Sequence, residues 1–215
     1  MKYKIIIIAL MFLFTIPSFC QISIGVKGGV TLSKLKFKSD LQGYDFKNLV
    51  GFNAGIFADY NFTKEYSIVL EIVYNQRGTK YGTGDKYLTG GYFEPAHEFI
   101  QTLNYLDLPL LFKYTIPLDW KIKPIVMIGP QYSFLLNAKI EYSDIVSNRK
   151  NDNSSDFKNN DFGLIFGLGA KYDIKPGSIL FSARYYKGLN NLNADSGSDI
   201  KAYGFQINAG YTIPL

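Results

Sequence analysis

The chain has 215 residues and a formal net charge of +5, a length that suits a single domain. This charge is too small to indicate a nucleic-acid-binding protein. The single cysteine, Cys20, and the single histidine, His97, exclude a disulfide framework and a Cys/His metal cluster.

The first twenty residues predict a cleaved secretory signal peptide. Residues 1–4 carry two lysines, residues 5–16 are apolar, and cleavage is expected after Cys20. The apolar run is too short for a transmembrane helix. A lipid on Cys20 is the alternative, but the bulky Phe19 before it argues against a lipoprotein. Removal of the two lysines lowers the net charge from +5 to +3 and leaves a domain over 21–215 without cysteine.

Eight later stretches alternate between apolar and other residues, and this period of two predicts β-strands with a different solvent on each face. The predicted strands cover residues 22–33, 52–60, 67–75, 105–114, 121–132, 162–172, 179–186 and 202–213. Short turns at 61–65, 117–120 and 175–177 follow the second, fourth and sixth strands. Longer polar segments follow the first, third, fifth and seventh strands, including about 78–98, 137–160 and 189–200.

One face of each strand is almost purely apolar and ends in tyrosine. Aromatic residues at both ends of an aliphatic band are typical of a surface that crosses the two interfaces of a bilayer. The tyrosines at the strand ends are Tyr60, Tyr74, Tyr114, Tyr132, Tyr172, Tyr185, Tyr203 and Tyr211. The pattern therefore predicts that the apolar face meets lipid.

The predicted fold is all-β: an eight-stranded antiparallel up-and-down transmembrane β-barrel. Closure is required because an open edge in lipid would leave backbone groups unpaired. Membrane barrels have short periplasmic turns and long extracellular loops. The gap lengths therefore predict that both termini are periplasmic.

The opposite face carries small residues and charges of both signs, including Asp59, Lys123 and Lys171. Eight strands enclose only enough space for side chains, so we expect a filled lumen. The predicted interior ion-pair network consists of Lys27, Glu71, Asp107, Lys113 and Arg184. A specific hypothesis is that Glu71, Asp107 and Arg184 belong to one network, which would be structural and not catalytic.

Three segments resemble the PorT-like outer-membrane β-barrel family, a group of small barrels related in architecture to OmpA- and OmpX-type proteins. They are residues 25–33, 70–78 and 105–114, of which Tyr-Leu-Asp-Leu-Pro-Leu-Leu-Phe-Lys-Tyr at 105–114 is the most specific. The resemblance implies an outer-membrane location, insertion by the barrel-assembly machinery and no catalytic residues. The C-terminal Pro214-Leu215 departs from the terminal phenylalanine that is frequent in such barrels.

Two loop motifs could carry chemistry. His97 lies between Glu94 and Glu98 and could act as a general base, although no nucleophile stands out near it. Asp152-Asn-Ser-Ser-Asp156 offers oxygen ligands for calcium, but it lacks the glycine and closing glutamate of an EF-hand loop. A solvated loop is the favoured interpretation of both.

The sequence thus predicts a small integral outer-membrane barrel with a filled lumen and a structural or surface-binding role through its extracellular loops. The alternatives are a narrow pore, an outer-membrane lipid-modifying enzyme and a soluble lipocalin-like barrel. We expect outer-membrane lipid and an unidentified extracellular or periplasmic protein as partners, with no nucleic acid. No catalytic, metal or cofactor site is predicted.

Overall fold

The computed structural model is almost entirely β-structure. It describes residues 21–37, 45–83, 86–87, 93–94, 97–143, 148–194 and 199–215. Its strands are β1 Gln21–Phe37, β2 Asp45–Asn61, β3 Tyr66–Thr83, β4 Lys86–Tyr87, β5 Phe93–Glu94, β6 His97–Thr115, β7 Ile122–Ser143, β8 Asn148–Asp152, β9 Asn160–Ile174, β10 Gly177–Gly188 and β11 Ile200–Pro214. A single turn of 3-10 helix, Ser154–Asp156, follows β8.

Eight of these strands form a closed antiparallel barrel, in the order β6-β3-β2-β1-β11-β10-β9-β7. The first and last strands pair along their length, from Ser23 opposite Pro214 to Phe37 opposite Ile200. Pairing of β6 with β7 completes the circle. The predicted eight-stranded up-and-down barrel is confirmed. The short β8 pairs with β7, and β4 pairs with β5 outside the barrel wall.

The alternation of side chains along each strand separates an apolar outside from an inside that holds the buried polar and charged side chains together with buried apolar ones such as Phe57, Leu111 and Met127. Val26 on β1 lies opposite Ile56 on β2 and Tyr211 on β11, and all three belong to the outer face. Val26 is 59% exposed, whereas Lys27, the next residue, is 8% exposed. A band of exposed aliphatic side chains around a closed sheet is the surface that lipid solvates.

Several strands extend farther than the alternation predicts. The segment 78–98 was predicted to be a loop, but β3 continues to Thr83 and β6 begins at His97. The segment 137–160 was also predicted to be a loop, but β7 continues to Ser143 and pairs there with β8. In these extensions the inward side chains Arg77, Thr79 and Leu103 remain buried, so backbone pairing continues where the apolar/polar alternation of the sequence has ended.

The short connections lie at one end of the barrel, as predicted. The β2–β3 turn is held by the Thr63 hydroxyl, which accepts hydrogen bonds from the backbone N–H groups of Glu65 and Tyr66 at 3.1 and 3.0 Å. Such a side-chain acceptor replaces a backbone partner within the turn.

The predicted signal peptide, residues 1–20, lies outside the described residues. The structure therefore describes the chain from Gln21 onward. In that part of the chain, no helix has the length and apolar character needed to cross a membrane.

Candidate functional site

The barrel lumen is filled by buried charges that balance one another. Among the described residues, eight charged side chains are buried, four of them positive and four negative. They are Lys27, Asp59, Glu71, Arg77, Asp107, Lys113, Asp161 and Arg184. Burial of a charge is tolerated where a partner and hydrogen bonds replace water, and each of these side chains has such a partner.

The first ion pair lies nearest the short turns. Lys113 on β6 donates to Asp59 on β2, although β3 runs between these two strands. On β3, Ser67 lies opposite Lys113 and Val69 lies opposite Asp59. The pair therefore spans the lumen side of β3 and ties together three strands of the wall.

The second cluster lies farther along the lumen and is centred on Glu71 of β3. Lys27 of β1 donates to this carboxylate at 2.5 Å. Arg184 of β10 donates through both terminal nitrogens, at 2.8 and 3.0 Å. A two-pronged guanidinium–carboxylate contact is among the stronger charge-assisted hydrogen bonds. This cluster joins opposite sides of the barrel, because β3 and β10 are not neighbours.

The third cluster lies nearest the long loops and is centred on Arg77 of β3. Its guanidinium donates to Asp107, and it contacts Asp161 at 3.5 Å. The same guanidinium lies between two aromatic rings, 4.7 Å from the Tyr105 centroid and 4.3 Å from the Tyr186 centroid. A cation between two aromatic faces gains cation–π attraction from both. The cluster places a buried cation, two carboxylates and two aromatic rings in the lumen, where Arg77 is 1% exposed.

Polar neighbours add three further hydrogen bonds to this third cluster, and Asp161 Oδ1 is left without a hydrogen-bond partner among the described residues. The Tyr186 hydroxyl donates to Asp161 at 2.6 Å, and the Asn75 amide donates to Asp107 at 2.8 Å. The Ser133 hydroxyl accepts from Arg77 at 3.0 Å. Hydrogen bonds to a buried carboxylate reduce the cost of removing it from water.

Two glycines of β9 provide space for the long lumen side chains. Gly167 lies directly opposite Arg184, and a methyl group on it would approach the Arg184 Cγ to 2.9 Å. A methyl group on Gly163 would approach the Tyr186 ring to 2.5 Å. This agrees with the expectation that lumen glycines make room for long side chains.

A cavity of about 30 Å³ lies between the first and second clusters. Its polar lining includes Lys27, Asp59, Lys113, Arg184 and Asn208. A space of this size accommodates one or two water molecules, since a single water needs roughly 10–15 Å³ by the same measure. It is too small for a solute.

The structure separates the residues that the sequence grouped together. Glu71 and Arg184 are in contact, as the hypothesis of one network requires, and Lys27 joins them. Asp107 lies opposite Val73, farther toward the long loops, where it pairs with Arg77. Lys113 is in the first pair with Asp59 and does not contact the second cluster through any described ion pair.

Arg77, Asp161 and Tyr186 belong to the third cluster, and none of them was in the ion-pair network predicted from the sequence. Arg77 has the same parity along β3 as Glu71, so continued alternation would have placed it in the lumen. It lies beyond residue 75, where the predicted strand ends. Asp161 likewise precedes the predicted sixth strand by one residue, although β9 begins at Asn160.

Two predicted inward charges lie at the rim of the lumen. Lys123 and Lys171 pair with Asp173 at 2.9 and 3.1 Å, where the side chains are 30–45% exposed. Ion pairs with this exposure contribute about 0–1 kcal/mol. These lysines are therefore part of a solvated rim near the short turns.

The loop motifs show no assembled site among the described residues. His97 is the first residue of β6, and its side chain lies outside what is described. Hydrogen bonds from the Ser154 hydroxyl (2.7 Å) and backbone N–H (2.9 Å) lower the pKa of Asp152. In the described part of the chain, no group of three or more acidic, histidine or cysteine side chains is arranged to hold a metal ion.

Residues 19–194 match the family described as "Outer membrane protein beta-barrel domain". The chain belongs to this family. The family assignment, the closed eight-stranded sheet and its apolar outer band together place the protein in the outer membrane. No curated protein matches the sequence.

Solved outer-membrane barrels resemble the chain at low sequence identity. Ail, the attachment invasion locus protein of Yersinia pestis, is 16% identical, with 89% of this chain and 98% of Ail covered and a TM-score of 0.42. Neisserial surface protein A is 15% identical, with 88% and 96% covered and a TM-score of 0.44. OprG from Pseudomonas aeruginosa is 15% identical, with 90% and 95% covered and a TM-score of 0.44.

Proposed function

We propose that this protein is a non-conducting, non-enzymatic membrane barrel whose filled lumen supports extracellular loops with a structural or surface-binding role. The observation that carries the proposal is the Arg77 cluster, which fills the lumen below the long loops. Its cation is bound to Asp107 and Asp161 and lies between Tyr105 and Tyr186. A permeating solute would have to disrupt all of these contacts.

The balance of charge also favours a plug over a catalytic site. Each buried carboxylate among the described residues is paired with a lysine or an arginine. A general acid or base needs to exchange a proton with a substrate, and these carboxylates are held by cations instead. A comparison of outer-membrane lipids with and without the protein tests the enzymatic alternative, and an altered lipid would contradict the proposal.

The proposed orientation places the long loops outside the cell, with the short turns and both termini in the periplasm. It is supported by the usual arrangement of short periplasmic turns and long outer loops in such barrels. Among the described residues, strand pairing continues past the apolar band at the long-loop end, where residues 139–143 of β7 pair with 148–152 of β8.

A more specific proposal is that the protein is related to the PorT-like barrels, whose most specific motif here supplies side chains to the lumen. Three side chains of the segment 105–114 lie in the buried clusters: Tyr105 and Asp107 contact Arg77, and Lys113 pairs with Asp59. The motif therefore corresponds to the inward face of β6. The secretion role linked to the founder of that family is not carried over, because a fold does not define a function.

Replacement of residues 141–150 by a two-residue Asn-Gly turn, which keeps Ile140 opposite Asn151, tests the role of the loops. The variant is expected to remain folded, because every buried ion pair among the described residues lies outside this segment. The surface proteome and secreted proteins of cells with this variant are compared with those of wild-type and gene-deleted cells. We expect the folded variant to reproduce the deletion phenotype, and full complementation would contradict a role for this hairpin.

A further inference from the structure

Lysines occupy three neighbouring strands at the long-loop end of the barrel. Lys34 on β1 and Lys187 on β10 both lie directly opposite Tyr203 of β11, one on each side. Two residues farther along β1, Lys36 lies directly opposite Lys201 of β11. These four lysines are called the lysine cluster below.

The lysine cluster belongs to the outer, lipid-facing side of the wall. On β1 it continues the exposed series that includes Leu32, whereas the intervening Leu35 is 1% exposed and points into the barrel. The row directly below the cluster is apolar, with Phe205 opposite both Leu32 and Tyr185. The cluster therefore begins where the apolar band ends, at the depth of lipid headgroups.

The cluster concentrates positive charge that the described residues do not neutralise. Like charges directly opposite on adjacent strands oppose pairing of the strands. None of the four lysines forms an ion pair with a described acidic side chain. A concavity of about 280 Å³ is lined by Lys36, Lys201, Tyr203 and Asp199. The four lysines and Asp199 together give this area a net positive charge.

We propose that the lysine cluster binds the phosphate of a phosphorylated outer-leaflet lipid headgroup. Lysine ammonium groups are effective phosphate binders because they act as compact point charges with three donors. Tyr203, between Lys34 and Lys187, offers a ring with a polar end at the same depth, as aromatic residues do at membrane interfaces. A phosphate attached to a lipid is presented at this depth, which favours a lipid over a soluble polyanion. The inference rests on the proposed orientation.

The test measures binding by native mass spectrometry of the purified full-length protein in detergent. The probes are lipid A with two phosphates and the same lipid with both phosphates removed. The double variant Lys36→Gln/Lys201→Gln removes one opposed pair of the cluster. The matched control is Lys123→Gln/Lys171→Gln, which removes another directly opposed lysine pair, on β7 and β9 at the short-turn end of the barrel, where both lysines pair with Asp173.

Wild type is expected to retain the phosphorylated lipid at least about tenfold more strongly than the dephosphorylated one. The Lys36→Gln/Lys201→Gln variant is expected to bind the phosphorylated lipid about 30-fold more weakly, because two of the four cations near the phosphate are removed. The control variant is expected to stay within about threefold of wild type.

Equal retention of the two lipids by wild type would overturn the proposal, and this comparison does not depend on any variant. Equal losses in the two double variants would also overturn it, because they would indicate general attraction of charge. Lysine-dependent binding of soluble heparin without retention of the phosphorylated lipid would likewise count against a lipid site. The assay in detergent is independent of orientation, so its outcome is distinguishable from a failure of the proposed function.

Discussion

The guanidinium of Arg77 lies 4.3 Å from the ring centroid of Tyr186, and the Tyr186 hydroxyl donates to Asp161, which is also a partner of Arg77. The tyrosine therefore contacts the cation through its ring and the anion through its hydroxyl. Since Arg77 is on β3 and Tyr186 is on β10, this relationship crosses the lumen. One tyrosine side chain thus contacts both members of a buried ion pair.

Replacement of Arg77 by methionine is expected to destabilise the barrel by about 3–5 kcal/mol, because Asp107 and Asp161 would remain buried without their cation. The measurement is the free energy of unfolding in urea, with the protein in lipid vesicles. The matched control is Lys123→Met, which removes a cation from the exposed pair with Asp173 and should cost at most about 1 kcal/mol. Equal losses in the two variants would contradict a closed Arg77 cluster.

From the contacts of the second cluster we predict which of two substitutions destabilises the barrel more. Glu71→Leu removes the anion between Lys27 and Arg184 and leaves two buried cations that repel each other. Arg184→Met leaves Glu71 with Lys27 as its remaining partner, so it should destabilise the barrel less, by about 1.5–3 kcal/mol. Thermal melting and the heat-dependent shift in gel mobility report both losses. An Arg184→Met protein that melts like wild type would leave the predicted network without support.

Gly163→Ala is expected to destabilise the barrel by about 1–3 kcal/mol, because the added methyl group would lie 2.5 Å from both the Tyr186 ring and the backbone carbonyl oxygen of Lys187. Gly204→Ala is the matched control on β11, where the nearest atom to the new methyl group is 3.6 Å away. The free energy of unfolding should change little in the control. The reverse order would show that Tyr186 does not occupy the lumen beside Gly163.

Orientation can be measured by labelling engineered cysteines with a bulky maleimide that does not cross the outer membrane. From residue 21 onward the sequence has no cysteine, so each new thiol is a single site if cleavage occurs as predicted. Ser155→Cys, in the 3-10 helix, is expected to react on intact cells. Thr63→Cys, in the β2–β3 turn, is expected to react only after the outer membrane is permeabilised. Labelling of Thr63→Cys on intact cells would reverse the proposed orientation.

The sequence could predict which residues point outward and which point inward, because the outward side chains meet lipid and the inward ones meet the lumen. Lys27 and Glu71 could thus be assigned to the lumen from alternation alone. Their partners could not be derived in the same way, because partner choice depends on the stagger between strands. That stagger places Asp107 opposite Val73 and within reach of Arg77. Arg184 therefore binds Glu71, and Asp107 is not part of that cluster.

The strand ends could not be predicted, because the signal disappears where lipid ends. Residues 76–83 continue β3 into a region without a regular apolar/polar alternation, where backbone pairing with β6 and stacking of Tyr81 on Phe99 stabilise the strand. Arg77 lies in this continuation. The residue on which closure of the lumen depends is therefore the one for which alternation gave the weakest signal.

The most direct test of a filled lumen is the current through planar bilayers that contain the purified wild-type protein. Because Arg77 and its partners are buried in the lumen and the cavity between the other two clusters is about 30 Å³, we expect no steady conductance steps at voltages of either sign. Arg77→Ala, tested in the same bilayers, opens space in that layer and provides the comparison. Stable open-state current from the wild-type barrel would contradict the plug and favour a narrow pore.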